Sequence, residues 1–193
     1  MSNRIGIFGG SFDPVHNGHI AAIKSFLGSG LIHKVLVLLT PSPPHKDASG
    51  QTDYDHRLNM LNIVFEGMDN VEVSDVEKRL PEPSYTLQTI THLQKTHPKN
   101  TYFLCLGEDS IDSFIKWYKY EEILDRIPLI VAERPGYGRQ GLERKIAERS
   151  VFVDHQPVDI SSTDIRSGEL NLPTEFAVPK AVIEYAREHN LYK

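Results

Sequence analysis

One stretch near the N-terminus constrains the fold more than any other: Gly9-Gly10-Ser11-Phe12-Asp13-Pro14-Val15-His16-Asn17-Gly18-His19. The apolar run Ile5-Gly6-Ile7-Phe8 leads into it. Ile20, Ile23, Phe26 and Leu27, spaced as one face of a helix, lead out of it. A strand therefore feeds a glycine-containing turn, and the turn feeds a helix that opens with two histidines three residues apart. Backbone N–H groups and two imidazoles then converge above a strand end, which suits a polyphosphate. Taken alone, His16 and His19 also fit a capping or solvated pair. Gly18, which leaves room at the backbone, and Pro14, which stiffens the turn, favour ligand binding. A metal site here would have only Asp13 as a nearby third ligand, so phosphate is the preferred occupant.

The rest of the chain repeats this strand-then-helix rhythm. Mostly apolar, β-branched runs mark strands at 4–8, 34–39, 71–73, 101–106, 129–132 and 151–153. Amphipathic stretches mark helices at 18–27, 54–65, 86–95, 110–117, 121–125, 142–148, 162–167 and 179–189. The alternation implies right-handed βαβ units, hence an α/β fold with a doubly wound, mostly parallel sheet. A chain of 193 residues fits one such domain, with residues 160–193 forming a small C-terminal helical part. The net charge of −5 supplies no general basic field for nucleic acid. An anionic small substrate must then be held by a local cluster or by a metal ion. The one cysteine, Cys105, sits in an apolar run and reads as a buried small side chain. Together with the absence of an apolar signal core before the glycines, it suits a cytoplasmic protein.

Ligands of doubly wound sheets bind beyond the carboxyl ends of the strands, so the residues after each strand matter. The glycines match neither G-x-G-x-x-G nor G-x-x-x-x-G-K-[ST], which argues against a dinucleotide-binding dehydrogenase and a P-loop kinase. Pro43-Pro44-His45-Lys46 forms a stiff loop that holds a histidine and a lysine outward. Ser84-Tyr85-Thr86 opens a helix whose first N–H groups can take a carboxylate or phosphate, although either hydroxyl can also serve only as a cap. In Gly107-Glu108-Asp109-Ser110 a carboxylate follows a strand and can accept from ribose hydroxyls, but Asp109 also fits as a helix N-cap before Ser110. Trp117 is flanked by Lys116, Tyr118 and Lys119, an awkward setting for a purely buried ring. Arg134 follows a strand and precedes a turn, where it can clamp a phosphate or pair with Glu133. In Ile160-Ser161-Ser162-Thr163-Asp164-Ile165-Arg166, Ser161 and Asp164 make a capping box, and the hydroxyls with Arg166 also suit a triphosphate.

The first and last of these stretches resemble the H-x-G-H and S-[ST]-x-x-R signatures of the nucleotidyltransferase α/β phosphodiesterase superfamily. The intermediate ones, Pro43 to Lys46, Ser84 to Thr86, Gly107 to Asp109, Trp117 and Arg134 to Gly136, resemble the bacterial nicotinate-nucleotide adenylyltransferases. The likeness extends from Ile5 to Tyr192. It implies a Rossmann-like fold and adenylyl transfer from ATP, carried with Mg²⁺, to nicotinate mononucleotide. It implies catalytic roles for His16 and His19 at the ATP phosphates, and ATP binding by Gly9, Gly10, Ser11, Phe12, Gly18, Gly107, Asp109, Ser162, Thr163 and Arg166. Lys46, Thr86, Trp117, Tyr118 and Arg134 would then lie at the mononucleotide. Alternatives are transfer to nicotinamide mononucleotide or phosphopantetheine, and a nucleotide-binding sensor without catalysis. A nucleic-acid module is disfavoured by the acidic balance.

Overall fold

The computed structural model describes residues 3–41, 50–133, 141–156, 158, 160–169 and 173–192. Six strands, β1 (Arg4–Gly10), β2 (Lys34–Leu39), β3 (Val71–Ser74), β4 (Thr101–Gly107), β5 (Leu129–Glu133) and β6 (Ser150–Asp154), form one sheet in the order β3-β2-β1-β4-β5-β6. Every neighbouring pair is parallel, so the sheet is wholly and not mostly parallel. Each expected strand is present, at most two residues longer at either end.

Period-two alternation explains why the strands read as almost continuously apolar. On β2, Val35, Val37 and Leu39 join one buried cluster, and Leu36 and Leu38 join the other. On β5, Ile130 and Ala132 face the first cluster while Leu129 and Val131 face the second. Both faces must therefore be covered by helices. Helices α1 (Asn17–Gly28) and α2 (Tyr54–Phe65) cover one face through Phe26, Met60 and Leu61. Helices α3 (Thr86–Thr96), α4 (Glu108–Ser113), α5 (Tyr120–Arg126) and α6 (Arg144–Glu148) cover the other through Ile90, Ile111, Ile123 and Ile146. After β6 come α7 (Ser162–Ser167), α8 (Thr174–Ala177) and α9 (Lys180–Glu188). Ala177 and Val182 return to the first face, beside α1 and α2.

The expected helix over 110–117 differs in two ways. It starts at Glu108 with Gly107 in the cap position, so Asp109 lies inside the first turn and is not the cap. Two acidic side chains there favour the positive end of the helix. The helix also stops at Ser113, and a 3-10 turn, Phe114–Lys116, leads to extended backbone at Trp117. A second 3-10 turn, Val76–Arg79, and helix α8 were not anticipated. No helix among the described residues is long and apolar enough to cross a membrane.

The strand order reverses direction at β1 and β4. The crevice that opens there, beyond Gly10 and Gly107, is where such sheets place their ligands.

Candidate active site

The loop that leaves β1 is tied down through its carbonyl oxygens. Gly10 O accepts from Thr40 N–H at 3.0 Å. Ser11 O accepts from Arg57 Nη1 at 2.7 Å, Asp13 O from Arg166 Nη1 at 2.7 Å, and Pro14 O from Ser162 Oγ at 3.0 Å. Carbonyl dipoles that would repel an anion are thus engaged by protein donors. Arg57 is 2% exposed and also donates to Thr40 O at 3.1 Å and, through Nε, to Thr52 O at 2.9 Å. Burial lowers its guanidinium from the ordinary value, but such a group stays charged in proteins. Phe12, at φ 45°, turns its ring into the core, where it meets Phe8 at 5.8 Å and His19 at 4.8 Å between ring centroids. A Cβ at Gly10 would meet the Phe12 ring at 3.1 Å, so a side chain there requires that ring to give by a few tenths of an ångström.

The two histidines form one unit. Their rings stack with centroids 3.7 Å apart, inclined by 28°. The backbone N–H of His16 donates to His19 Nδ1 at 3.2 Å. Nδ1 of His19 is therefore the acceptor nitrogen, which places the proton of the neutral ring on Nε2. His16 is buried, its Nδ1 has no hydrogen-bond partner among the described residues, and desolvation pulls its pKa down to about 4 against an upward pull from Asp164. A Cβ at Gly18 would stand 3.0 Å from that Nδ1. The His16 ring thus packs against Gly18, which also borders the cavity.

Around these residues lies a cavity of about 600 Å³. Gly9 to Asp13, His16, Gly18 and His19 form one wall, and Gly107 to Ser110 form another. Ser161, Ser162, Thr163 and Arg166 close one end. Arg166 spends one N–H on Asp13 O and another on Thr163 Oγ1 at 3.3 Å, which leaves further N–H groups on its fork. The expected capping box is present: Ser161 Oγ accepts from Asp164 N–H at 3.1 Å, and Asp164 Oδ2 accepts from Ser161 N–H at 3.1 Å. It closes the start of α7, and the Ser162 and Arg166 bonds to Pro14 O and Asp13 O hold the helix against the loop.

A second cavity, of about 270 Å³, opens on the other side of Gly9, Gly10 and Ser11. It is mostly apolar, walled by Leu38, Leu104, Leu106 and Trp117, with Ser84, Tyr85 and Thr86 at the start of α3. The Tyr85 and Tyr118 rings stack at 4.3 Å at its mouth. Glu77 also lines it, 6% exposed, with Oε1 accepting from Thr89 Oγ at 2.8 Å. Burial raises its carboxyl above the ordinary range.

The structure thus gathers His16, His19, Gly9, Gly10, Ser11, Phe12, Gly18, Gly107, Asp109, Ser162, Thr163 and Arg166 around one cavity, and Thr86, Trp117 and Tyr118 around its neighbour. Lys46 and Arg134 lie outside the described residues. Sequence reading missed Arg57, Glu77 and Tyr192, the last of which donates to Asp13 Oδ1 at 2.6 Å. The one available signal was Arg57, which occupies the inward stripe of α2 with Met60 and Leu61.

A strand-end crevice with paired histidines and a triphosphate-sized cavity defines a nucleotidyltransferase, and the profile of the cytidylyltransferase-like family matches residues 7–168. Nicotinate-nucleotide adenylyltransferase of Bacillus subtilis (strain 168) is 33% identical over 191 residues, 98% of each chain. The probable nicotinate-nucleotide adenylyltransferase of Thermotoga maritima is 39% identical over 170 residues, 85% of this chain and 80% of that one. Within its class the chain belongs to the nicotinate-nucleotide adenylyltransferases. Its fold matches that of Plasmodium falciparum nicotinic acid mononucleotide adenylyltransferase complexed with NaAD, with a TM-score of 0.80 at 22% identity over 98% of this chain and 97% of that one.

Proposed function

We propose that the chain transfers the adenylyl group of ATP to nicotinate mononucleotide, giving nicotinate adenine dinucleotide and pyrophosphate. The observation that carries this reading is the pair of cavities joined at Gly9 to Ser11. One is lined by the glycines of the β1 loop, two imidazoles, hydroxyls and the Arg166 guanidinium, with Asp109 on the facing wall, and suits a nucleoside triphosphate. The other is apolar, has an indole in its wall and a helix start at its edge, and suits a pyridine ring bearing a carboxylate.

The 5′-phosphate of the mononucleotide attacks the α-phosphorus of ATP. A P–O bond forms there, the bond from the α-phosphorus to the α,β-bridging oxygen breaks, and pyrophosphate leaves with that oxygen and the electron pair. A phosphate monoester has its second pKa at about 6 and is already mostly dianionic near neutrality, so the attack needs no general base. What remains is charge on the α-phosphate and on the leaving group. His19 supports it as a neutral donor through Nε2–H, and Arg166 as a cation beside the departing phosphates. His16, neutral because it is buried, orders His19 by stacking and by its N–H. Thr163 and Ser162 hold Arg166 and the loop in place, while Gly107 and Asp109 flank the ribose of ATP.

Mg²⁺ enters on the triphosphate and shares its charge. Both oxygens of Asp13 already accept protein hydrogen bonds, so the ion would be carried by the triphosphate and not by this carboxylate. At the mononucleotide, the first N–H groups of α3, at Thr86 and Leu87, have no carbonyl one turn behind them and favour a carboxylate. Trp117 and Tyr118 pack on the ring and its rim. The test is direct. The protein is incubated with ATP, Mg²⁺ and nicotinate mononucleotide, nicotinamide mononucleotide or phosphopantetheine in turn, and products are identified by mass. The acid mononucleotide should give the dinucleotide with the highest kcat/KM. Equal kcat/KM for acid and amide would overturn the assignment of acceptor, and ATP binding with no product would favour a sensor.

A further inference from the structure

The end of the chain returns to the loop where the site begins. After α9, Leu191 N–H donates to Ala186 O at 2.8 Å, and Asn190 and Tyr192 adopt φ 58° and 55°. Two left-handed residues so close together turn the backbone sharply away from the helix axis. The turn starts from a seated helix, since Tyr185 of α9 accepts from Asn59 Nδ2 of α2 at 3.0 Å and bonds His56 Nδ1 at 2.9 Å. It delivers the Tyr192 hydroxyl to Asp13 Oδ1 at 2.6 Å, across 179 positions of sequence. The other carboxylate oxygen, Oδ2, accepts from Thr52 N–H at 3.1 Å.

Asp13 is 3% exposed, yet it borders the larger cavity. A carboxylate beside a polyphosphate repels it unless donors hold the charge back and fix its direction. Among the described residues one donor belongs to the backbone of Thr52 and another is the Tyr192 phenol, with the Arg57 guanidinium attracting the same carboxylate. The phenol has no other site role, and burial with the Asp13 bond pushes its own ionisation well above the ordinary range. The hydroxyl therefore stays a donor at any physiological pH.

We propose that Tyr192 is a positioning residue: by holding the Asp13 carboxylate it sets the nucleotide loop in the geometry that ATP binding requires. The inference rests on the reading of the larger cavity as the ATP site. Among the described residues Asp13 borders the larger cavity and not the smaller, whereas Gly9 to Ser11 border both, so the effect falls chiefly on ATP. A scaffolding tyrosine would instead disturb both substrates or the fold as a whole.

Steady-state kinetics of Tyr192→Phe, which keeps the ring and removes only the hydroxyl, test this. The KM for ATP should rise about tenfold, as for loss of one hydrogen bond to a charged group. The KM for nicotinate mononucleotide should stay within about twofold and the melting temperature within about 3 °C. In an Asp13→Asn background, Tyr192→Phe should add little further, because the coupling is already gone. An unchanged KM for ATP, equal rises in both KM values, or fully additive effects would each overturn the proposal. A wild-type protein that forms no dinucleotide would instead overturn the reading of the site.

Discussion

At the scale of single residues, chemistry and stability meet in the histidine pair. A His19→Ala variant removes the Nε2–H donor while the stacked His16 remains buried. Loss of one such donor at a developing charge costs about 10²–10³ in rate. Pyrophosphate release should fall by that factor with the fold intact; near-normal turnover would remove His19 from the mechanism. His16 behaves differently, because its folded-state pKa of about 4 lies below the ordinary 6.5. The unfolded imidazole takes up a proton near 6.5 and the folded one only near 4. The contribution of His16 to stability is therefore complete above about 6.5 and drains away as pH falls toward 4, by up to about 3 kcal/mol. Urea unfolding at pH 7.5 and pH 5 should show a smaller loss for His16→Gln than for the wild type. Equal losses would mean that burial of this ring does not govern its titration.

At the scale of elements, Arg57 ties three segments together. From α2 it reaches the carbonyls of Ser11 in the β1 loop, Thr40 after β2, and Thr52 ahead of its own helix. Arg57→Met leaves three carbonyls without their donor, at about 1–3 kcal/mol for each that stays buried and unpaired. The variant should lose about 3 kcal/mol or more, or about 6–12 °C in melting temperature for a chain of this size. Arg57→Lys should recover little, since a single ammonium cannot fork to all three. A calorimetric scan decides, and a shift below 2 °C would refute this. The same network shows why the elements were easier to read than the site. Strand β2 and helix α2 have their expected bounds because periods of 2 and 3.6 are written into Val35 to Leu39 and into Met60, Leu61 and Phe65. Helix α8 and the 3-10 turn Val76–Arg79 are four residues each, shorter than the periodicity that would reveal them. His16, His19 and Arg166 stood out through local spacing. Arg57 and Tyr192 did not, because their partners lie 46 and 179 positions away and only the tertiary fold joins them.

At the scale of the whole molecule, the sheet's reversal between β1 and β4 places two cavities on either side of one strand end. Gly9 borders both. An added Cβ at Gly9 would meet no protein atom within 4 Å, which contrasts with the 3.1 Å contact at Gly10 and the 3.0 Å contact at Gly18. The described residues therefore leave room for a side chain at Gly9, and on the proposed reading the volume it would enter is where the attacking phosphate reaches the α-phosphorus. Gly9→Val separates the two requirements. Valine suits a parallel strand end, so the melting temperature should stay within about 2 °C of wild type. Turnover should fall by about 10² or more, because displacing a reacting group by about 1 Å has that effect. Gly9→Ala should lie between the two. A folded Gly9→Val protein with wild-type kcat would show that the substrates do not meet above this strand, and the two cavities would then have to serve separate ligands.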